Sequence, residues 1–288
     1  MIEAAAVAGC HIYCEKPVAG ALADTDAILA ACTRAKIKVG VAHQWRGMPV
    51  IQRLIEEVNA GAYGRLLRLR ARPKDDSRGG GEELLLHGTH LFDLMMAFAG
   101  PPRWASGHIL VGNRDATRAD AGQGNTPVGP ITGNSIAATF GFDKGTRGYF
   151  ESTAGLAGPE APHYDNLYGL ALECEKATLE LREPGDAYIY PAPRVLPDLT
   201  HIEWQKYHLA GWHDLPNHTP DYLRKNWLSL GNTALARDLI AAIENDREPL
   251  SSIHAVRYVN EMVQGVYASH FAGGIRVAIP LTERAHPL

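Results

Sequence analysis

The stretch "HIYCEKPVAGALADTDAILAACTRAKIKVGVAHQ" (residues 11–44) decides how this chain is read. Ile12, Tyr13 and Cys14 form a short strand-like run that stops on Glu15-Lys16-Pro17, where the missing proline N–H ends a ladder. A helical pattern follows over "DTDAILAACTRAKI", with Asp24 as the N-cap candidate. "KVGVAHQ" reads as a second strand, rich in Val and Gly and of the fully buried type. Beyond it, "PVIQRLIEEVNAG" (49–61) puts Ile51, Leu54, Ile55 and Val58 on one helical face. Pro49 suits the first turn of that helix and Gly61 its stop. Strand, helix, strand, helix with short connections predicts a parallel α/β unit.

From Leu66 onward the texture changes. Strand-like runs come in succession: "RLLRLRAR", "SIAATFGF", "GTRGYFEST", "NLYGLALEC", "ATLELRE" and "AYIYPA". "FDKGTRGYF" reads as a hairpin turning at Asp143-Lys144-Gly145. Such a series predicts an antiparallel sheet, closed by two helices, "NTALARDLIAAIEND" (232–246) and "SSIHAVRYVNEMVQGVYASHFAGG" (251–274), and a last strand "IRVAIPL". Residues 113–134, polar and rich in Gly and Pro, are expected to form an exposed loop. There is no internal repeat.

At 288 residues, 45% hydrophobic and 21% charged, the chain has the composition of a globular protein of one large or two smaller domains. A net charge of −4 gives no reason to expect nucleic acid or an anionic membrane as partner. No apolar run approaches the roughly 18 residues of a membrane span. Cys10, Cys14, Cys32 and Cys174 make neither a C-x-x-C pair nor a zinc spacing, and read as reduced thiols of a cytoplasmic protein. "AAAVAGC" mimics the end of a lipoprotein signal but carries Glu3 and lacks a basic region ahead of it.

Two short motifs carry chemistry. A lysine fixed at the end of a strand stands where open α/β sheets bind ligands. The Lys16 ammonium can donate to a hydroxyl or carbonyl oxygen and stabilise negative charge there. Glu15 would orient it and Pro17 stiffen the turn. The same three residues also describe a surface ion pair worth under about 1 kcal/mol. In "HGTHLFDLMMAFAG" (87–100), His87, Leu91, Leu94 and Phe98 share a helical face, with His90 beside it and Asp93 further round. Histidines in a first helical turn are kept neutral by the dipole and can accept a proton. A histidine satisfied in the core is the alternative. A metal set of His87, His90 and Asp93 lacks a recognisable metalloenzyme motif. Asp93 reads as structural, tying its helix to nearby backbone. The "GGG" at 79–81 follows no clear strand and reads as a flexible entry to the helix rather than a phosphate loop. The histidine-rich stretch "HIEWQKYHLAGWHDLPNH" (201–218) reads either as a packed loop or as a substrate wall.

Taken together, "AGCHIYCEKPVAG…AHQWRGMPVIQRLIEEVNAGAYGRLL", "GGGEELLLHGTHLFDLMMAFAG", the hairpin "ATFGFDKGTRGYFES" and the C-terminal "DLIAAIENDREPLSS…VYASHFAGGIRVAIPL" resemble the glucose–fructose oxidoreductase / inositol dehydrogenase (Gfo/Idh/MocA) family over nearly the whole chain. The resemblance implies a remnant of a Rossmann-type parallel sheet (residues 1–60) followed by an α+β domain with a large, mostly antiparallel open sheet (61–288). It implies Lys16 and His90 as catalytic residues. Glu15, Lys16, Pro17, Gln44 and Arg46 are implied to line the cofactor crevice, though a polar loop is an equal reading of the last two. Many members carry an aspartate two residues before the glycine of the second motif, where this chain has Leu86. His90 therefore carries over as the acid/base, and His87 is a neighbour placed to share that role.

Such a dinucleotide domain opens with a strand, a G-x-G-x-x-G turn and a helix. Only "MIEAAAVAG", read as the tail of a helix, precedes the first strand here. The expectation is a chain lacking most of that domain, with an exposed sheet edge and weakened NAD or NADP binding. Two functions follow. One is an NAD(P)-dependent oxidoreductase moving a hydride between nicotinamide and a sugar, polyol or related hydroxyl compound. The other is a non-catalytic binding or assembly module derived from such an enzyme. No metal, nucleic acid or membrane partner is expected, and a homo-oligomer is.

Overall fold

The computed structural model describes residues 1–126, 129–156, 168–182, 185–193 and 203–288. The expected opening unit forms. After α1 (Ile2–Val7), β1 (Ile12–Cys14) pairs in parallel with β2 (Val39–Val41), Ile12 opposite Val39 and Cys14 opposite Val41. Between them runs α2 (Leu22–Ala35), one residue row of which buries Ala31 and Cys32. Its N-cap position is held by Ala21, and Asp24 lies inside the first turn instead. There the carboxylate still faces the positive end of the helix dipole. β2 is buried throughout, as its Val-Gly-Val sequence requires. A short α3 (Gln44–Gly47) leads into α4 (Pro49–Asn59), which buries Val50, Ile51, Leu54 and Val58 and starts on Pro49.

The second sheet has ten strands. In chain order come β3 (Leu66–Arg72), the short helix α5 (Gly81–Leu85), α6 (His87–Ala99), β4 (Trp104–Val111) and β5 (Arg114–Asp115). A small separate ribbon of β6 (Gly122–Gln123) and β7 (Pro130–Ile131) follows within the mostly exposed 113–134 segment, of which residues 127–128 lie outside the described residues. Then come β8 (Ser135–Gly141), β9 (Arg147–Thr153), β10 (Gly169–Cys174), β11 (Thr178–Arg182), β12 (Asp186–Tyr190) and β13 (Gln205–Lys206). Helices α7 (Pro220–Glu244) and α8 (Ile253–Phe271) and the strand β14 (Val277–Ala278) close the chain.

The spatial order is β13-β12-β11-β10-β3-β9-β8-β4-β14, with β5 pairing β4 at the side. Every pairing is antiparallel except β3 with β9. β8 and β9 form the expected hairpin, with Lys144 at positive φ in the turn. The inward residues Leu69, Leu172, Phe140 and Phe150 are buried under α6, whose Phe92 packs edge-on to Phe140 at 5.1 Å. Full burial of such side chains stabilises by about 2 kcal/mol each.

Three elements depart from the sequence reading. β4 was not anticipated: its inner face is Ala105, Gly107 and Ile109, because α8 lies directly on it. A Cβ at Gly107 would stand 2.5 Å from the Val266 carbonyl oxygen. α7 begins twelve residues before Asn232, at Pro220. Gly231 sits inside the helix where α3 crosses it, and a Cβ there would be 2.4 Å from the Gln44 carbonyl oxygen. The triple glycine is not flexible. Cβ atoms on Gly79, Gly80 and Gly81 would lie 2.2, 2.6 and 2.4 Å from the backbone of Ala154, Gly133 and Thr132, so only glycine lets this chain cross there.

Candidate active site

β1 and β2 run parallel, so their carboxyl ends lie at the same edge, and each delivers a basic side chain there. Lys16 follows β1 and His43 follows β2. Across from them, α5 and α6 are broken at Leu86, whose φ of −82° and ψ of −80° leave the helix. The break frees the Leu86 carbonyl, and Lys16 Nζ donates to it at 2.9 Å. Thr89 Oγ1 donates to the same oxygen at 2.9 Å. Burial lowers the Lys16 pKa; Glu15 and Glu83 oppose that, and Arg78 adds to it. A lysine so placed gives up its proton, or shares it with a ligand oxygen, more readily than an exposed one.

His90 is buried and meets His43 edge-on, ring centroids 5.4 Å apart. Burial, then the charges of Lys16, His43 and His87, hold its pKa well below the ordinary value. Desolvation, reinforced by the Lys16 ammonium, therefore keeps this ring neutral. His43 is lowered to about 4, first by burial, with Asp93 opposing and Lys16 and Arg46 reinforcing. Its Nδ1 stands 3.2 Å from Ser251 Oγ and 3.7 Å from Asp93 Oδ1.

Asp93, fully buried, is gripped by Arg46: Nε donates to Oδ2 at 2.9 Å, and Nη2 donates to Oδ1 at 2.9 Å and to the Asp93 carbonyl at 2.8 Å. The aspartate is structural, as expected, but its tie is to a side chain on α3 rather than to nearby backbone. Arg46 thus clamps α3 to α6. Gln44 is buried with Oε1 unpartnered, as are His43 Nε2, Trp45 Nε1 and His90 Nδ1 among the described residues.

His87 is bound differently from His90. Its Nδ1 lies 2.6 and 2.8 Å from the two carboxylate oxygens of Glu83, one helical turn earlier and fully buried. Its ring meets Tyr168 at 4.8 Å; Tyr168 continues to Trp45 at 5.3 Å and Trp45 to Trp227 at 5.6 Å. These rings wall one side of the site. The structure thus brings Lys16, His87 and His90 together, while Gln44 lies on α3 against Gly231 of α7. His43, Glu83 and Tyr168 were missed. Glu83 and His87 stand at i and i+4, a legible spacing; His43 follows a strand end as Lys16 does; Tyr168 carries no local signal.

The described part of the 201–218 stretch is bonded within itself, to α4 and to β12: His208 to Asp214, His218 to the Trp212 carbonyl, Tyr207 to Glu57, and Lys206 to Asp186. Residues 201 and 202 lie outside the described residues. No group of three His, Cys, Asp or Glu among the described residues is placed to hold a metal ion. A hollow of about 500 Å³ lies elsewhere, on the open face of the large sheet among Arg70, Tyr149, Glu151, Glu180 and Arg182. It shares no residue with the Lys16 site. No described helix is long and apolar enough to cross a membrane.

A small parallel sheet joined to a large, mostly antiparallel one is a fold shared with solved oxidoreductases. Levoglucosan dehydrogenase, solved with NADH and levoglucosan, superposes with a TM-score of 0.70 at 18% identity over 97% of this chain and 76% of its own. An inositol dehydrogenase homologue from Azotobacter vinelandii, solved with NADH and myo-inositol, gives a TM-score of 0.68 at 17% identity, covering 96% of this chain and 74% of that one. In sequence, D-apiose dehydrogenase of Paraburkholderia graminis is 41% identical over 64 residues, which are 22% of this chain and 17% of that relative. No family model matches the chain.

Proposed function

We propose that this chain acts as an NAD(P)-dependent oxidoreductase, moving a hydride between nicotinamide and a sugar, polyol or related hydroxyl compound. The observation that carries the reading is the convergence of Lys16 with His87 and His90 at the carboxyl edge of β1 and β2. The relatives that share the fold include proteins solved with NADH together with levoglucosan or myo-inositol.

The residues present fit the reactive end of a nicotinamide. Gln44 Oε1, a buried acceptor, His43 Nε2 and His90 Nδ1 have no hydrogen-bond partner among the described residues. A carboxamide, which carries both donor and acceptor, would satisfy such a set. Gln44 and His43 would hold it, with Lys16 beside them. Bound there, nicotinamide supplies the hydride acceptor or donor. The chain's own work is electrostatic: the Lys16 ammonium leaves the Leu86 carbonyl for the substrate oxygen and stabilises charge on it as its bond order changes. Neutral His90 offers a fixed hydrogen bond without repelling the lysine. In this reading residues 1–60 form the cofactor side and 61–288 the substrate side.

Titration with NADH and NADPH, followed by nicotinamide fluorescence, tests the reading. Saturable binding weakened at least about tenfold by Lys16→Ala, roughly 1.4 kcal/mol, is expected. A folded chain that binds neither nucleotide would refute it.

The reading extends to assembly and compartment. The open sheet face carries Arg68 and Arg70 on Glu173 and Arg182 on Glu180, so both signs of charge lie on it. A homo-oligomer through this face, read by light scattering, fits it. Four free cysteines, two of them buried, fit a cytoplasmic setting.

A further inference from the structure

Glu83 and His87 form a close pair beside Lys16. Glu83 is fully buried although nothing apolar about it favours that place. A buried carboxylate is costly unless paired, and among the described residues this one faces His87 Nδ1 at 2.6 Å and Arg78 Nε at 3.7 Å. Arg78 is itself turned mainly to Asp76, where Nε donates at 3.0 Å. The closer hold is therefore on the imidazole.

An ionised carboxylate only accepts, so the atom facing it must be an Nδ1–H. That leaves the lone pair on Nε2. His87 is half-buried, whereas His90 is buried and its ring is kept neutral first by that burial and then by the charge of Lys16. A ring so reluctant to charge is a poor proton acceptor. Leu86, the residue between the two helices, offers only its carbonyl, and Lys16 already uses it.

We infer that Glu83 is a positioning residue that fixes His87 in the Nδ1–H tautomer, making His87 Nε2, rather than His90, the acceptor of the substrate hydroxyl proton. This rests on the oxidoreductase reading above. In the oxidative direction the substrate O–H bond breaks and an Nε2–H bond forms. The electron pair left on oxygen becomes part of the new C=O as the hydride departs to nicotinamide. Glu83 then faces an imidazolium and offsets its charge. Lys16 keeps its proton and serves as hydrogen-bond donor to the same oxygen. Reversal returns the proton from Nε2.

The test needs neither cofactor nor substrate. The 288-residue chain is labelled with ¹⁵N-histidine, and ring nitrogen shifts are read well above the ordinary histidine pKa. The His87 signals are assigned by their loss in His87→Gln. The expected result is the Nδ1–H form in the wild type, kept in Glu83→Gln, whose amide oxygen still accepts, and lost in Glu83→Ala. Circular dichroism of both variants checks that they fold, and the glutamine variant preserves volume should the alanine one fail. His87 found as Nε2–H in the wild type, or as Nδ1–H in a folded Glu83→Ala, would overturn the assignment. The nicotinamide titration is independent: its failure removes the oxidoreductase reading and leaves the tautomer untouched, and the wrong tautomer removes the dyad while nucleotide binding stands.

Discussion

Replacing Arg46 by methionine should destabilise the fold by roughly 3–5 kcal/mol, the cost of leaving a buried charge unpaired. The figure follows from the geometry. Asp93 has no exposed surface, and Arg46 supplies both of its close carboxylate contacts, at 2.9 Å each, plus one to its backbone carbonyl. Methionine fills the stem volume but donates nothing. The nearest remaining positive group would be a protonated His43, 3.7 Å from Oδ1. That ring is held at about 4 by burial, with Lys16 and Arg46 reinforcing and Asp93 opposing. Removing Arg46 takes away a lowering cause and leaves the raising one, so the variant's folded state takes up a proton at higher pH than the wild type. Below that point the variant gains stability relative to the wild type, because its native state binds more protons. The deficit should therefore be full near about pH 8 and narrower near about pH 5. Urea unfolding at both pH values reads it, and Arg46→Met combined with Asp93→Leu should recover much of the loss. A deficit under about 1 kcal/mol, or one that widens on acidification, would show that the pair behaves as a surface ion pair and refute the reasoning.

Other outcomes can be checked alongside. His43 is lowered from 6.5 to about 4, so its neutral form stabilises the fold fully above 6.5. That contribution, roughly 3 kcal/mol, is lost as the unfolded ring takes a proton and the folded one does not, between 6.5 and about 4. His43→Gln should flatten this part of the stability-against-pH curve, and an unchanged slope would argue against the buried neutral ring. Gly80→Ala, at φ +80° and with a Cβ 2.6 Å from the Gly133 carbonyl oxygen, should cost more than about 2 kcal/mol in chemical unfolding. Gly61→Ala, at φ +78° in open space, should cost only about 1 kcal/mol. Glu82 accepts from the backbone amides of Asn125 and Thr126 at 3.0 and 2.9 Å, so Glu82→Ala should speed hydrogen exchange at both; unaltered exchange would mean the loop is held otherwise.

How far the sequence could be read depended on which partner set each residue. β2 and α4 were legible because their burial follows their own periodicity. β4 was not, since the helix lying on it selects Ala105 and Gly107 where a strand would usually show larger side chains. The start of α7 was not legible for the same reason: Gly231 serves the crossing of α3 and α7. In the site, Lys16 announced itself because a proline stops its strand. Arg46 and Asp93 were visible singly, but their union joins positions 47 residues apart, and no local pattern encodes it.

The position of Lys16 follows from the same long-range logic. Its loop is short and follows a strand of only three residues, β1, that could not by itself hold a side chain steady. The loop is pinned instead from α8: Asn260 Nδ2 donates to the Ala19 carbonyl at 3.2 Å and Gln264 Nε2 to the Gly20 carbonyl at 2.9 Å. α8 in turn is seated on β4 by the close approach at Gly107. α6, which carries both site histidines, lies under the same large sheet and is tied to α3 by Arg46 and Asp93. The lysine and the histidines therefore take their spacing from the ten-stranded sheet, through two different helices, and not from the small parallel sheet at whose edge the lysine stands. A preorganised donor of this kind costs little to align when a ligand oxygen arrives, because its alignment was settled in folding.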